Sequence, residues 1–237
     1  MILCRRPLLK LIPRRWIDRE RTILLRNKVP LTYRLNKGDI WSLREVWLFD
    51  AYRFPANIRP KLIVDLGANI GLASVWLATQ YQPQQLIAVE AVQANADLAR
   101  RNTDQVHVET VVVPAAIGPK DGSVRFIERA ESNFGRADYT ATGSTPMLCM
   151  NTILKRHAPG QRIGLMKIDI EGAEQELLSS GLEWLASVDA IIIELHPGLI
   201  DTAGVIATLQ SHGFRYIPAN SAFPDNMDSF IRDQPSV

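Results

Sequence analysis

The stretch VDLGANIG, Val64 to Gly71, ends an apolar run that begins at Leu62 and opens a helical pattern, IGLASVWLATQY, that ends at Tyr81. A short apolar strand, a glycine turn and a helix, in that order, form the first unit of an alternating α/β sheet. Gly67 and Gly71 supply backbone angles that other residues resist, and they let the main chain approach a ligand closely. The next strand, LIAVE, ends on Glu90, 19 residues after Gly71, where a carboxylate can accept hydrogen bonds from both hydroxyls of an adenosine ribose.

The spacing of the turn selects among nucleoside ligands. A dinucleotide site expects GxGxxG, with main-chain amides at the helix start gripping a pyrophosphate. Here the turn is GANIG, without a middle glycine, and Asp65 places a negative charge just ahead of it. That charge repels phosphate and suits an ammonium or sulfonium. S-adenosylmethionine carries adenosine, an amino-acid head and a positive sulfur, so the candidate cofactor-binding residues are Asp65, Gly67, Ala68, Asn69, Gly71, Glu90 and Ala91. An NAD(P)-dependent oxidoreductase is the weaker reading, because it rests only on the shared fold and the ribose acid. The YxxxK spacing of Tyr33 to Lys37 adds nothing to it, since it precedes the cofactor strand and reads as a strand with an exposed lysine.

Outward from this turn, apolar runs and helical patterns continue to alternate: VQANADLARRN, VHVETVVVPAAIG, NTILKRH, IGLMKID, EQELLSSGLEWL and DAIIIEL, then a helix near Ala203 to Ser211. The expected fold is a doubly wound, mostly parallel seven-stranded sheet of Rossmann-like α/β class, closed by GFRYIP and DSFIRD as antiparallel strands. Ser123 to Glu128 and ESNFGRADYTATGS read as an inserted hairpin and loop, where Asn133, Phe134 and Arg136 are either acceptor contacts or a turn. Before Pro55 and Pro60, TILLRN and VPLTYRLN form a hairpin, and a helix carries Ile40, Leu43, Val46 and Trp47 behind Asp39 as its N-cap. The expected organisation is an N-terminal basic segment, hairpin and helix over 1–60 on the substrate side, and a cofactor-binding domain over 61–237.

A chain of 237 residues that is 46% hydrophobic can bury a sizeable core. Cys4 and Cys149 form no CxxC pair, so neither a disulfide framework nor a cysteine zinc site is encoded, and a reducing, cytoplasmic setting fits. Arg5, Arg6 and Lys10 interrupt the N-terminal apolar run, so neither a signal peptide nor a transmembrane helix is expected. The net charge is +2, but residues 1 to 28 hold nine Lys/Arg against Asp18 and Glu20, a balance of +7 that leaves −5 for the rest. Such a segment is either a solvated face or a contact for an anionic surface or carrier protein. Nucleic acid is not expected, because no aromatic stacking array accompanies the charge. Homo-oligomerisation stays open.

VDLGANIG, LIAVEA and above all KIDIEGAEQELL followed by IIIELHP resemble the motifs of the FkbM-type methyltransferases, a branch of the class I S-adenosylmethionine-dependent enzymes. The resemblance runs from about Leu31 through most of the chain. It implies O-methylation of a hydroxyl on a sugar, polyketide or other natural product, with N-methylation as the alternative. Many class I enzymes carry an acid after the third strand; here that region is PAAIG, so Ala116 and its neighbours would hold adenine through main-chain and apolar contacts.

The usual class I order places KIDIEG, Lys167 to Gly172, beside the cofactor strand with its tip at the cleft. Side chains alternate across a strand, so Lys167, Asp169 and Glu171 share a face. A buried ammonium needs a partner, either Asp65 or Glu194, which makes Lys167 an organiser of carboxylates. Glu194 and His196 end the neighbouring strand. A hydroxyl acceptor needs alignment and a base; His196 has the right pKa range, with Glu194 or Asp169 to orient it. The candidate catalytic residues are therefore His196, Asp169, Glu194, Glu171 and Lys167, with Asp169 also a candidate cofactor-binding residue beside the methyl donor. The same groups suit Mg, Mn or Zn, a divalent metal being the less favoured reading. His107, His157 and His212 are expected at the surface.

Overall fold

The computed structural model describes residues 16–127, 136–139, 143–217 and 227–232. The first fifteen residues of the basic segment, and Asn133 and Phe134 of the inserted loop, lie outside the described residues.

The chain first forms a hairpin, β1 (Glu20–Leu24) and β2 (Pro30–Arg34), with Thr22 opposite Thr32, then helix α1 (Lys37–Leu48). The N-cap of α1 is Asn36 rather than Asp39: the Asn36 side chain accepts from the Asp39 amide at 2.8 Å. Asp39 is instead buried against Arg34, 3.0 Å from its Nε, and accepts the Arg34 amide as well. A fully buried carboxylate takes the partner that neutralises it, which leaves capping to the nearer neutral amide.

The main fold then alternates strictly: β3 (Leu62–Leu66), α2 (Leu72–Tyr81), β4 (Gln85–Glu90), α3 (Gln93–Thr103) and β5 (Glu109–Pro114). An insertion of four short strands follows, β6 (Ala116–Ile117), β7 (Gly122–Ile127), β8 (Arg136–Asp138) and β9 (Thr145–Leu148), paired in the order β6-β9-β7-β8. It is a small sheet of its own, larger than the hairpin expected from sequence. Helix α4 (Met150–His157), β10 (Leu165–Ile168), α5 (Glu174–Leu177), a 3-10 turn at Leu182–Ser187, β11 (Ala190–Glu194), α6 (Thr202–Ser211), β12 (Phe214–Ile217) and β13 (Met227–Arg232) complete the molecule.

Seven strands make one sheet in the order β12-β13-β11-β10-β3-β4-β5. Strands β3, β4, β5, β10 and β11 are parallel, and β13 is antiparallel to both β11 and β12. Strand β12 therefore runs with the main sheet, and only β13 is reversed, inserted between β11 and β12. The expectation of two antiparallel closing strands is corrected on this point, because a hairpin whose second arm pairs inward must send its first arm along the parallel direction. This is the seven-stranded, doubly wound, mostly parallel α/β sheet expected from the sequence.

Alternation along the strands separates two apolar layers. Leu62, Val64 and Leu66 face one layer with Ile153 and Leu209, while Ile63 and Leu165 face the other with Val75, Leu77 and Leu98. Leu31, Val46, Tyr52 and Phe54 belong to that second layer. The hairpin is also stitched to the glycine turn through buried Asn102, whose Nδ2 donates to Thr32 O at 2.8 Å and to Ile70 O at 2.7 Å. Strand order reverses between β3 and β10, so the carboxyl ends of these strands open a cleft between the connections on either side. No described helix is long and apolar enough to cross a membrane.

Candidate active site

The turn after β3 bends through three left-handed residues, Gly67 (φ 78°), Asn69 (φ 48°) and Gly71 (φ 81°). A Cβ on Gly67 would lie 1.8 Å from the carbonyl oxygen of Asp169, so this position admits no side chain. The glycine lets the loop after β10 press against the loop after β3. A Cβ on Gly71 would meet the Cα of Ala99 at 2.9 Å, and this glycine starts α2 against α3. Glu90, at the end of β4, accepts the Asn69 amide with Oε2 and the Val92 amide with Oε1, both at 2.8 Å. Burial raises its pKa, and those two amides work against the rise.

These elements border a cavity of about 220 Å³. Gly67, Ala68, Asn69, Glu90, Ala91 and Ala116 line one part of it; Lys167, Asp169, Glu171, Glu194 and His196 line another. A third wall comes from the N-terminal extension: Trp41, Ser42, Glu45 and Val46 of α1, and Tyr52. Two of the expected residues stand apart from this lining. Gly71 packs behind the turn, and Asp65 is fully buried beneath it. Parallel register puts Asp65 directly opposite Lys167, so its carboxylate serves the protein interior. Asp65 Oδ1 lies 3.0 Å from Lys167 Nζ, and Oδ2 accepts from Ser74 at 2.6 Å.

Of the two partners expected for Lys167, Asp65 is the one in contact. The ammonium also donates to Gly67 O at 2.8 Å and stands 3.6 Å from Asp169 Oδ2. Burial alone would lower its pKa, but Asp65 and Asp169 outweigh that cost and hold it above the ordinary lysine value. Strand β10 ends at Ile168, so Asp169 and Glu171 project from a turn, and Glu171 itself is left-handed at φ 55°. A non-glycine residue at such an angle is held there by its surroundings.

Two side chains that sequence reasoning did not single out complete the site. Glu174, fully buried, accepts from His196 Nδ1 at 2.9 Å and takes the amides of Ile170 and Gly172 on the same oxygen. It therefore replaces Glu194 and Asp169 as the group that orients the imidazole. Its signal was present in KIDIEGAE, but the residue reads as an ordinary first-turn helix acid. Tyr52 donates to Asp169 Oδ2 at 2.8 Å, and its ring centroid lies 5.1 Å from Lys167 Nζ. No local pattern marks this contact, since 117 residues separate the partners.

With Nδ1 on Glu174, His196 turns Nε2 toward Glu171 at 3.6 Å and Glu194 at 3.9 Å. Burial lowers the imidazole pKa, but Glu174 and the carboxylates of Asp169 and Glu171 reverse this and raise it. Burial, then the charge on Asp169, pushes Glu171 up to about 8. Burial, then the charges of Asp169 and Glu45, pushes Glu194 up to about 10, and Glu194 shares a hydrogen bond with Asp169. Asp169 is buried too, but Lys167 and the Tyr52 hydroxyl hold it below the ordinary aspartate value. His107 and His212 are at the surface as expected, while His157 is half-buried.

Asp169, Glu171 and His196 each bring one donor atom within 4.8 Å of the others, close enough for a metal ion. Asp169 is already compensated by Lys167 and Tyr52 on Oδ2, and a dication there would face a fixed ammonium at close range.

Among solved structures, the chain resembles the precorrin-6y C5,15-methyltransferase of Geobacter metallireducens GS-15, at 11% identity over 88% of this chain and 96% of that one, with a TM-score of 0.48. It also resembles M. jannaschii TYW2 in complex with AdoMet, at 11% identity over 90% and 86%, with a TM-score of 0.44. Likeness at this distance assigns no role to any residue. Methyltransferase 1 of Beauveria bassiana (strain ARSEF 2860) is 24% identical over 192 residues, which cover 70% of this chain and 76% of that protein. A family model described as the methyltransferase FkbM domain matches residues 65–216. That match spans more than half of the chain, so the protein belongs to the FkbM methyltransferase family, and its methyl donor is S-adenosylmethionine.

Proposed function

We propose that the protein is an O-methyltransferase that acts on a hydroxyl of a small-molecule acceptor, a sugar, polyketide or other natural product. The observation that carries this reading is the cluster of His196, Glu171 and Glu194, which lines the same cavity as the glycine turn and supports a role in accepting a proton. An amine acceptor needs alignment but little help with its proton, whereas a hydroxyl needs a base.

Gly67, Ala68, Asn69, Glu90, Ala91 and Ala116 would hold the donor, with Glu90 positioned for ribose hydroxyls by the two amides that fix its carboxylate. The lining fits a ligand with a cationic centre, because carboxyl groups outnumber cations among the described residues around the cavity. When bound, the donor supplies an electrophilic methyl group on a positive sulfur. The chain's own residues do the rest. Glu174 fixes the imidazole with Nδ1 engaged, so Nε2 faces the acceptor side. Lys167 and Tyr52 hold Asp169 ionised beside it. Trp41, Ser42, Glu45 and Tyr52 give the extension a wall at the acceptor. The hydroxyl proton passes to the His196–Glu171–Glu194 group, which titrates as a unit.

Glu90→Ala is expected to weaken adenosylhomocysteine binding by about tenfold to a hundredfold in calorimetry, the loss of a charged hydrogen-bonding partner. His196→Ala is expected to lower turnover by about a hundredfold or more at saturating donor, and unchanged turnover across the pH range would remove it from the mechanism. Incubation with a metabolite pool and a labelled donor, followed by mass spectrometry, identifies the acceptor and the atom methylated. A product carrying the label only on nitrogen would overturn the O-methyl reading.

A further inference from the structure

Among the described residues, charge around the acceptor side of the cavity does not balance. Lys167 meets Asp65 at 3.0 Å and Asp169 at 3.6 Å, and His196 meets Glu174 at 2.9 Å. Among the described residues, the ionic partner of Glu171 and Glu194 within 4 Å is then the far nitrogen of that same imidazole, at 3.6 and 3.9 Å, and Glu194 also shares a hydrogen bond with Asp169, another acid. Glu45 and the Tyr52 hydroxyl face the same space from the extension and bring no positive charge. Both glutamates are well covered, with side chains 26% and 22% exposed. Carboxylates crowded together in a low-dielectric cleft cannot all ionise, and the proton they retain belongs to the group rather than to one residue.

We propose that Glu171 and Glu194 form a proton reservoir governed by the charge of the donor, releasing a proton when a sulfonium enters the cavity and regaining the acceptor's hydroxyl proton as the methyl group is transferred. This rests on the donor reading above and goes beyond it by making proton uptake depend on the fate of the sulfonium charge. The balance closes. The acceptor oxygen forms the new C–O bond, the electrons of the broken C–S bond return to sulfur, and the proton goes to a glutamate. One cation and one carboxylate thus become a neutral thioether and a neutral carboxylic acid. The raised pKa values of both glutamates agree with a group that is short of positive charge before the donor binds. His196 relays within the group, Lys167 and Glu174 stay paired, and Asp169 stays ionised.

The test needs no acceptor. Calorimetric titration of the protein with S-adenosylmethionine, and separately with adenosylhomocysteine, is run at pH 7.5 in buffers of different ionisation enthalpy to count protons released on binding. The two ligands share their amino-acid and adenosine groups and differ in the sulfonium. The expected result is about one proton more released with the sulfonium ligand, and loss of most of that difference in Glu171→Gln or Glu194→Gln. Equal proton counts for the two ligands in the unaltered protein would overturn the proposal while leaving the donor assignment intact. A difference that survives in both variants would also overturn it, because the proton would come from elsewhere. Failure of both ligands to bind would overturn the donor reading and the proposal together.

Discussion

At the residue scale, the decisive contact is the buried pair Lys167–Asp65 at 3.0 Å. Lys167 is among the largest fully buried side chains of the protein. It donates to the backbone of the glycine turn and stands beside Asp169, so one ammonium ties the β3 turn to the β10 tip. Lys167→Met would leave the Asp65 carboxyl in the interior with Ser74 but without its cation. The expected cost is about 3–5 kcal/mol in urea unfolding, with part of the loss recovered when Asp65→Asn is added; a double variant no better than the single one would show that the pair does not carry the effect. The pairing was legible in KIDIEG as a demand for a partner. The choice of Asp65 over Glu194 required the strand register.

At the element scale, α1 and the segment after it decide what the cavity is. Arg34 holds Asp39, Asn102 holds β2, and Tyr52 reaches Asp169. The segment preceding the family-matched region therefore supplies a wall of the site and a hydrogen bond to one of its carboxylates. Tyr52→Phe removes that bond and keeps the ring. Asp169, which the Tyr52 hydroxyl helps keep below the ordinary aspartate value, then titrates higher. The value of kcat/KM is expected to fall by about tenfold at neutral pH, with adenosylhomocysteine affinity little changed. An unchanged kcat/KM would mean that Tyr52 acts through the packing of its ring alone. The charged segment, read as a strand, is a strand only to Ile168; Asp169 and Glu171 stand on the turn beyond, where Glu171 adopts a left-handed angle that alternation does not anticipate.

At the scale of the whole molecule, the same crowding makes stability depend on pH. Glu171 at about 8 and Glu194 at about 10 sit above the ordinary glutamate value of 4.5, so the folded protein retains protons that the unfolded chain releases. Stability from these groups is present at low pH and is lost as pH rises from about 4.5 through the folded values. His196, also raised, loses its contribution in the same direction above the ordinary histidine value. Asp169 works oppositely, but only in acid, as pH falls through its depressed value. The ligand-free protein is expected to melt at a lower temperature at pH 8.5 than at pH 6.5 in calorimetry, and Glu171→Gln is expected to flatten that dependence; a melting temperature that rises over this interval would contradict the charge imbalance. The sequence by itself determined the alternating sheet, the glycine turn, the acid that ends the second strand of the alternation and the carboxylates at the cleft, because burial periodicity and turn chemistry are local and leave their mark residue by residue. Tertiary structure alone decided that Asp65 faces Lys167 instead of a ligand, that Glu174 orients His196, that Tyr52 closes on Asp169 and that the last strand slips inside the sheet. Each of these depends on register or on groups far apart along the chain, and such distances are set by packing, which no local pattern encodes.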